Sequence, residues 1–248
     1  MAFYRVVLIT LISLYLQLWA QENTIPSSID QNPSLQQHKG AGAGGIKVGI
    51  TINDMSPVKQ LLLRNDSLGD STINYFDFND QLNNYAVLPT YGFQGYYQFN
   101  NGIRLGGAIV SSFGSWYQDG FTGSNYINML YWNTYYGALF GLSLGDSLNH
   151  FNVTTTIGGG AMYLGFITYD DENYYAQEIL STSMPYFVTD LQVSYLRTLG
   201  KHQIFHLGID GGVVLQTTTG SNYQGFTLGD FTTLNPTVNL RFIWGRKG

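Results

Sequence analysis

The sequence predicts an all-β fold: an eight-stranded antiparallel up-and-down transmembrane β-barrel, with short periplasmic turns at one end and long extracellular loops at the other. Three observations predict it. Apolar and polar residues alternate with a period of two from Ile46 onward, eight separate runs carry that alternation, and the connections between runs are short and long by turns.

Composition narrows the class before any element is placed. Charged residues make up 11% of the chain, against about a quarter in an ordinary soluble domain. Glycine (30) and tyrosine (19) are abundant. With no cysteine, the chain has no disulfide framework, no thiolate metal site and no lipoprotein anchor. A formal net charge of −5 without a basic cluster excludes a nucleic-acid partner. No pattern points to a cofactor or a bound metal.

The N-terminal residues Met1–Ala20 read as a secretory signal peptide: Arg5 supplies the positive start and Val6–Leu16 is almost unbroken apolar sequence. A retained membrane helix would need about 20 clean apolar residues, and Gln17, Gln21 and Glu22 break the run. Residues 21–45 read as a flexible periplasmic leader, polar and proline-broken to Lys39 and then a Gly-Ala repeat. The barrel is expected over residues 46–244, followed by a short C-terminal tail, 245–248.

The eight runs follow in order. Ile46, Val48, Ile50 and Ile52 alternate with Lys47, Gly49, Thr51 and Asn53. Phe93, Tyr97 and Phe99 share the apolar face of the second run; Ile103, Leu105, Ile109 and Phe113 share that of the third, opposite Arg104 and Ser112. A two-residue turn at Asn101-Gly102 would set Phe99 against Arg104 and oppose the two apolar faces. A three-residue loop with Gly102 left-handed instead pairs Phe99 with Ile103, Tyr97 with Leu105 and Phe93 with Ile109. The remaining runs centre on Trp132–Leu144, Phe151–Ile167, Phe187–Tyr195, Phe205–Leu215 and Leu234–Trp244. Strands of about ten residues or slightly more suffice for such a barrel, with the long connections expected at Asp54–Val87, Tyr117–Ile127, Tyr169–Met184 and Thr218–Phe231.

A soluble sandwich or lipocalin-like barrel also alternates, but it buries the apolar face. Here the opposite face, rich in Gly, Asn, Gln, Thr and Ser and carrying charges, is too polar for a dry core. Aromatics at strand ends, Tyr91, Trp116, Tyr117, Trp132 and Trp244, fit a lipid-interface girdle. Membrane embedding is the reading that satisfies both.

On these runs the chain resembles the small OmpA/OmpX-like outer-membrane barrels, in pattern over about Gly45 to Trp244 rather than through a diagnostic motif. The resemblance implies residence in a bacterial outer membrane, with outer-membrane lipid and the assembly machinery as partners. It also implies that Leu240, Phe242 and Trp244 form the assembly signal read on the last strand. Gly245-Arg246-Lys247-Gly248 follow that signal, whereas the family often stops at the aromatic.

Six ionisable residues face the predicted lumen: Lys47, Arg104, Asp190, His206, Asp210 and Arg241. An eight-stranded barrel is narrow enough to be filled by its own side chains, so a salt-bridged plug is expected, with Arg104 drawing on Asp190 or Asp210. The alternative is a gate in which His206 titrates near neutrality. His38, His150, His202 and His206 all fall on the leader or short-turn side, away from an outer-leaflet substrate, so no enzyme and no catalytic residue is expected. In the first long loop, Ser56 as N-cap and Pro57 at the first helical position open a short helix carrying Val58, Leu61, Leu62 and Leu63, either a lid or a partner-binding element. Asp170-Asp171-Glu172 and Tyr174, Tyr175 and Tyr223 offer loop contacts for a cation or a surface ligand.

The expected function is that of a non-enzymatic outer-membrane barrel acting through its extracellular loops or as a structural or partner-binding component, with an extracellular or envelope protein as partner. One alternative is a narrow channel for small apolar or amphipathic solutes. Another is an accessory subunit of a secretion or assembly complex.

Overall fold

A computed structural model describes residues 41–64, 82–99, 101–119, 125–145, 148–170, 175–199, 205–218, 221–223 and 226–245. The elements in chain order are β1 (Ala41–Asp54), α1 (Ser56–Arg64), β2 (Tyr85–Gln98), β3 (Ile103–Asp119), β4 (Asn125–Gly145) and β5 (Asn149–Asp170). They continue with β6 (Tyr175–Leu199), β7 (Phe205–Thr218), β8 (Ser221–Tyr223), β9 (Phe226–Leu228) and β10 (Phe231–Gly245). Eight of these strands form a closed antiparallel barrel in which each pairs with its sequence neighbours and β10 closes on β1; β8 and β9 make a separate hairpin. This is the architecture that the resemblance to OmpA/OmpX-like barrels implies.

Closure fixes the stagger. Partners run from Phe242 to Ile46, Phe93, Ile109, Tyr136, Gly159, Phe187, Thr217 and back to β10 at Thr232, ten positions from the start. Such a stagger requires strands tilted by about 35–45° and an interior just wide enough for side chains. The β2–β3 hairpin has the three-residue form: Gly102 has φ +82°, its N–H donates to Phe99 O at 3.0 Å, and Phe99 N–H donates to Ile103 O at 2.8 Å. Glycine fits there because a left-handed backbone carries no Cβ penalty. Tyr97 then pairs with Leu105 and Phe93 with Ile109.

Two boundaries differ from the sequence reading. β1 begins at Ala41 rather than Ile46, because Ala41–Gly45 pair with Gln98–Gln94 of β2. A Gly-Ala run has no apolar alternation to announce a strand, yet its backbone pairs like any other. The barrel strands are also longer than ten residues, from 14 in β1 to 25 in β6. Most of the stretches read as long loops at Tyr117–Ile127 and Tyr169–Met184 are in fact paired strand: β3 reaches Asp119, β4 starts at Asn125, β5 reaches Asp170 and β6 starts at Tyr175. A bulge at Phe166/Ile167 shifts the β5–β6 register and absorbs the extra length.

Candidate functional site

The barrel interior is the chemically distinctive region, and alternation builds it. Every second residue of each strand points inward, so Lys47 on β1, Arg104 on β3, Asp190 on β6, His206 and Asp210 on β7 and Arg241 on β10 are all buried. They do not gather in one place.

Four of them form a central ionic layer. Lys47 Nζ lies 3.5 Å from Asp190 Oδ2, and Arg241 Nε pairs with Asp210 Oδ2. Gln192 joins the two pairs: its amide donates to Asp190 at 2.9 Å and its carbonyl accepts from Arg241 Nη2 at 2.6 Å. Tyr135 Oη donates to Asp190 at 2.8 Å, Asn239 Nδ2 donates to Asp210 at 2.7 Å, and Arg241 Nη1 donates to Ser194 at 3.3 Å. Charges so deeply buried persist because each has an opposite partner, and Asp190, Asp210 and Arg241 have hydrogen bonds besides. Tyr135, Gln192, Ser194 and Asn239 were visible only as inward polar positions; their role depends on which strands become neighbours around the barrel.

Arg104 stands apart. Its Nε donates to Gln98 Oε1 at 2.9 Å and its Nη2 to Ser143 Oγ at 3.2 Å, with the guanidinium 4.5 Å from the centre of the Tyr96 ring. Neither expected acid is its partner: Asp190 and Asp210 belong to the central layer, whereas Arg104 starts β3 at the short-turn end. An aromatic face and two neutral acceptors replace a carboxylate there. His206 lies at the same end. Thr198 Oγ1 is 3.0 Å from His206 Nδ1 and 3.3 Å from His150 Nε2, and the two imidazole rings meet edge to face at 5.9 Å.

The opposite end is apolar. Met55, Val58, Leu61 and Leu62, at or beside α1, are at most 1% exposed. They pack in one cluster with Leu82, Leu88, Val110, Met129, Tyr131, Met162, Leu164, Phe166, Met184 and Phe231. Four of the five methionines of the sequence meet there, side chains well suited to filling an irregular gap. The helix starts one residue earlier than expected: Lys59 N–H donates to Met55 O, and the Asp54 carboxylate accepts from Ser56 N–H at 2.9 Å. Met55 is therefore the N-cap and is anchored in the cluster, while Asp54 supplies the capping oxygen. Lys59 Nζ donates to Leu82 O at 3.0 Å and Met55 N–H to Asn84 O at 2.8 Å, tying α1 to the returning chain.

The outer surface inverts a soluble protein. Large apolar residues from Val48 to Trp244 stand between 37% and 74% exposed, a continuous apolar surface far larger than a soluble monomer carries. No charged side chain interrupts the central part of this band among the described residues. Tyr97 and Phe99 meet edge-on at 5.0 Å, and Phe151 and Tyr195 lie tilted at 5.1 Å; with Phe205 and Trp244 they ring the short-turn end. Tyr117 and Trp132 face outward toward the other end. One of the aromatics read as interfacial sits elsewhere. Trp116 shares the inward face of Arg104 and Ser112 and packs on Tyr131 at 6.4 Å, so alternation removes it from the outer surface. Tyr91 of β2 meets Phe113, the cross-strand partner of Trp132. Leu240 and Trp244 are exposed on the outer face of β10, with Phe242 between them.

Among the described residues no group of three His, Asp or Glu side chains could hold a metal. His38, His202, Asp171, Glu172, Tyr174 and the tail at 246–248 lie outside the described residues, as do residues 1–40; the side chains of Leu63, Asp170, Tyr175 and Tyr223 are likewise not described.

No family model matches the chain and no curated protein is similar in sequence. Among solved structures it is similar to Ail, the attachment invasion locus protein of Yersinia pestis, at 9% identity, covering 84% of this chain and all of that one, with a TM-score of 0.39. A further Ail structure, in complex with the heparin analogue sucrose octasulfate, gives 10% identity over 83% of this chain and 99% of that one, TM-score 0.38. Neisserial surface protein A gives 9% identity over 82% and 96%, TM-score 0.36. At these values the likeness adds nothing to what the strand order already says, and the interior is read from its own residues.

Proposed function

We propose that this chain is a sealed, non-enzymatic outer-membrane barrel that acts through the parts it holds beyond the α1 end, as a binding or membrane-structural component. The observation that supports this reading is the filled lumen. An apolar stopper built on α1 closes one end, a doubly salt-bridged layer crosses the middle, and the Arg104–Tyr96 and His150–Thr198–His206 contacts fill the other end. A solute path would have to break all three. Both carboxylates are committed to cations, and the described histidines bond to Thr198 at the end far from α1, so neither set is arranged for acid–base work on an outer-leaflet substrate.

The apolar band is the support for membrane residence, with lipid as its partner, and the outward Leu240, Phe242 and Trp244 suit the assembly signal. Extended ribbons β3–β4 and β5–β6 give an extracellular or envelope protein something rigid to grip. The signal peptide at 1–20 and the leader belong to the same proposal. Purified protein in planar bilayers decides between this and the narrow channel: no stepwise current is expected from wild type, and reproducible single-channel openings in the absence of any variant would overturn the sealed reading.

A further inference from the structure

We propose that the lumen holds one tightly bound water molecule between the ionic layer and the apolar stopper, bridging Asn53 and Thr90. Three observations converge on that point. A small interior cavity with a free volume of about 10 Å³ is walled by Asn53, Thr90, Asn133, Tyr135, Gln216 and Asn235 among others. A space of about 10–15 Å³ is what a single water needs, and no larger ligand fits it. Next, Asn53 Nδ2 and Thr90 Oγ1 have no hydrogen-bond partner among the described residues, although Asn53 is 2% and Thr90 3% exposed. A buried polar atom left unpaired is rare, because its lost hydration is not recovered. Last, of the seven buried side-chain atoms without a partner among the described residues, these two belong to residues that line this one cavity.

The chemistry of the wall selects the occupant. The Asn53 amide nitrogen is a donor only, with its Oδ1 already accepting from Asn133 Nδ2 at 3.4 Å, so the guest must be an acceptor. A metal cation is therefore excluded by the group that would face it. An anion would accept, but no cationic side chain lines the cavity, and Lys47 and Arg241 are held by Asp190 and Asp210. Water satisfies every requirement: it accepts from Asn53, exchanges a hydrogen bond with Thr90, and keeps a proton for an amide carbonyl on the same wall. Its neighbours above are the apolar side chains around α1 and below the salt-bridged network, so it is held in place and does not belong to a continuous file.

A high-resolution crystal structure of the full chain, grown in buffer containing rubidium, tests the site directly. The expected result is a single density peak within about 2.7–3.2 Å of both Asn53 Nδ2 and Thr90 Oγ1, without rubidium's anomalous signal. In the isosteric variant Thr90→Val the peak is expected to be lost while the barrel is unchanged. An anomalous peak at the site would replace the water by a cation, and a direct Asn53–Thr90 contact with no density between them would remove the site altogether. Should Thr90→Val not fold, the wild-type crystal alone decides.

Discussion

At the scale of single residues, the lumen separates two kinds of buried cation. Arg241 is bound to a carboxylate, so Asp210→Asn leaves a guanidinium in a confined space with only neutral partners. A loss of about 3–5 kcal/mol in unfolding free energy is expected, the usual result of breaking one side of a buried pair. Arg104 has no such acid among the described residues. Arg104→Met gives up two hydrogen bonds and a ring contact but also removes a desolvated charge, so a neutral or stabilising result is expected. Urea unfolding from lipid vesicles measures both variants side by side. A large loss in Arg104→Met, or none in Asp210→Asn, would show that the pairing described for the central layer does not carry stability. These opposite outcomes were not legible in the sequence, which offered two acids and several cations without saying which strands would face each other. The inward direction of all six was legible, since alternation alone assigns it. The same alternation places Trp116 inward beside Ser112, and its position near a strand end gave the weaker clue.

At the scale of elements, α1 and the outward strand faces make separate predictions. α1 contributes Val58, Leu61 and Leu62 to the stopper with Met55 as its anchor. Truncating a buried leucine costs about 2–5 kcal/mol, so Leu61→Ala with Leu62→Ala is expected to undock the helix while the barrel strands stay paired. Amide hydrogen exchange over residues 56–64 reads this; protection equal to wild type would mean that the two leucines do not hold α1 in the mouth. A barrel that remains silent in bilayers after α1 is undocked would show that the ionic layer and the contacts at the short-turn end seal it without the stopper. On the outer face, Ile109 is 45% exposed in the middle of β3. Arginine there is expected to cost about 2–4 kcal/mol if the neighbour is lipid. Folding of Ile109→Arg into vesicles with wild-type stability would mean that this face does not contact the membrane. The helix was legible from Ser56-Pro57 and its apolar residues to within one position. Its burial was not, because a short amphipathic helix reads the same whether it caps a barrel or meets a partner.

At the scale of the whole molecule, closure is the dominant physical fact. The eight strands leave no unpaired edge, so separation of any one strand must break two ladders at once. The protein is expected to keep its barrel in detergent at room temperature and to migrate differently on a gel before and after boiling. Equal mobility in both samples, with the protein recovered in a soluble periplasmic fraction, would contradict a membrane barrel. The extent of the barrel was less visible than its existence: β1 starts in a Gly-Ala run, and β3 to β6 extend through stretches that looked like loops. In both places the backbone pairs without the apolar alternation that makes a strand recognisable.

The sequence by itself determined the number of barrel strands, the inward or outward direction of almost every side chain, and the β2–β3 turn. Those properties follow from a period of two and from the φ that Gly102 alone adopts comfortably, both of which are local. Only the tertiary structure decided that Lys47 meets Asp190, that Arg241 meets Asp210, that Arg104 rests on Tyr96, and that α1 fills the mouth. The Lys47–Asp190 contact depends on the ten-residue stagger accumulated around the closed sheet, which sets residues far apart in the chain at one height in the lumen, whereas Arg241 meets Asp210 across the paired β7 and β10 and Arg104 meets Tyr96 across β2 and β3. No short window of sequence contains that sum.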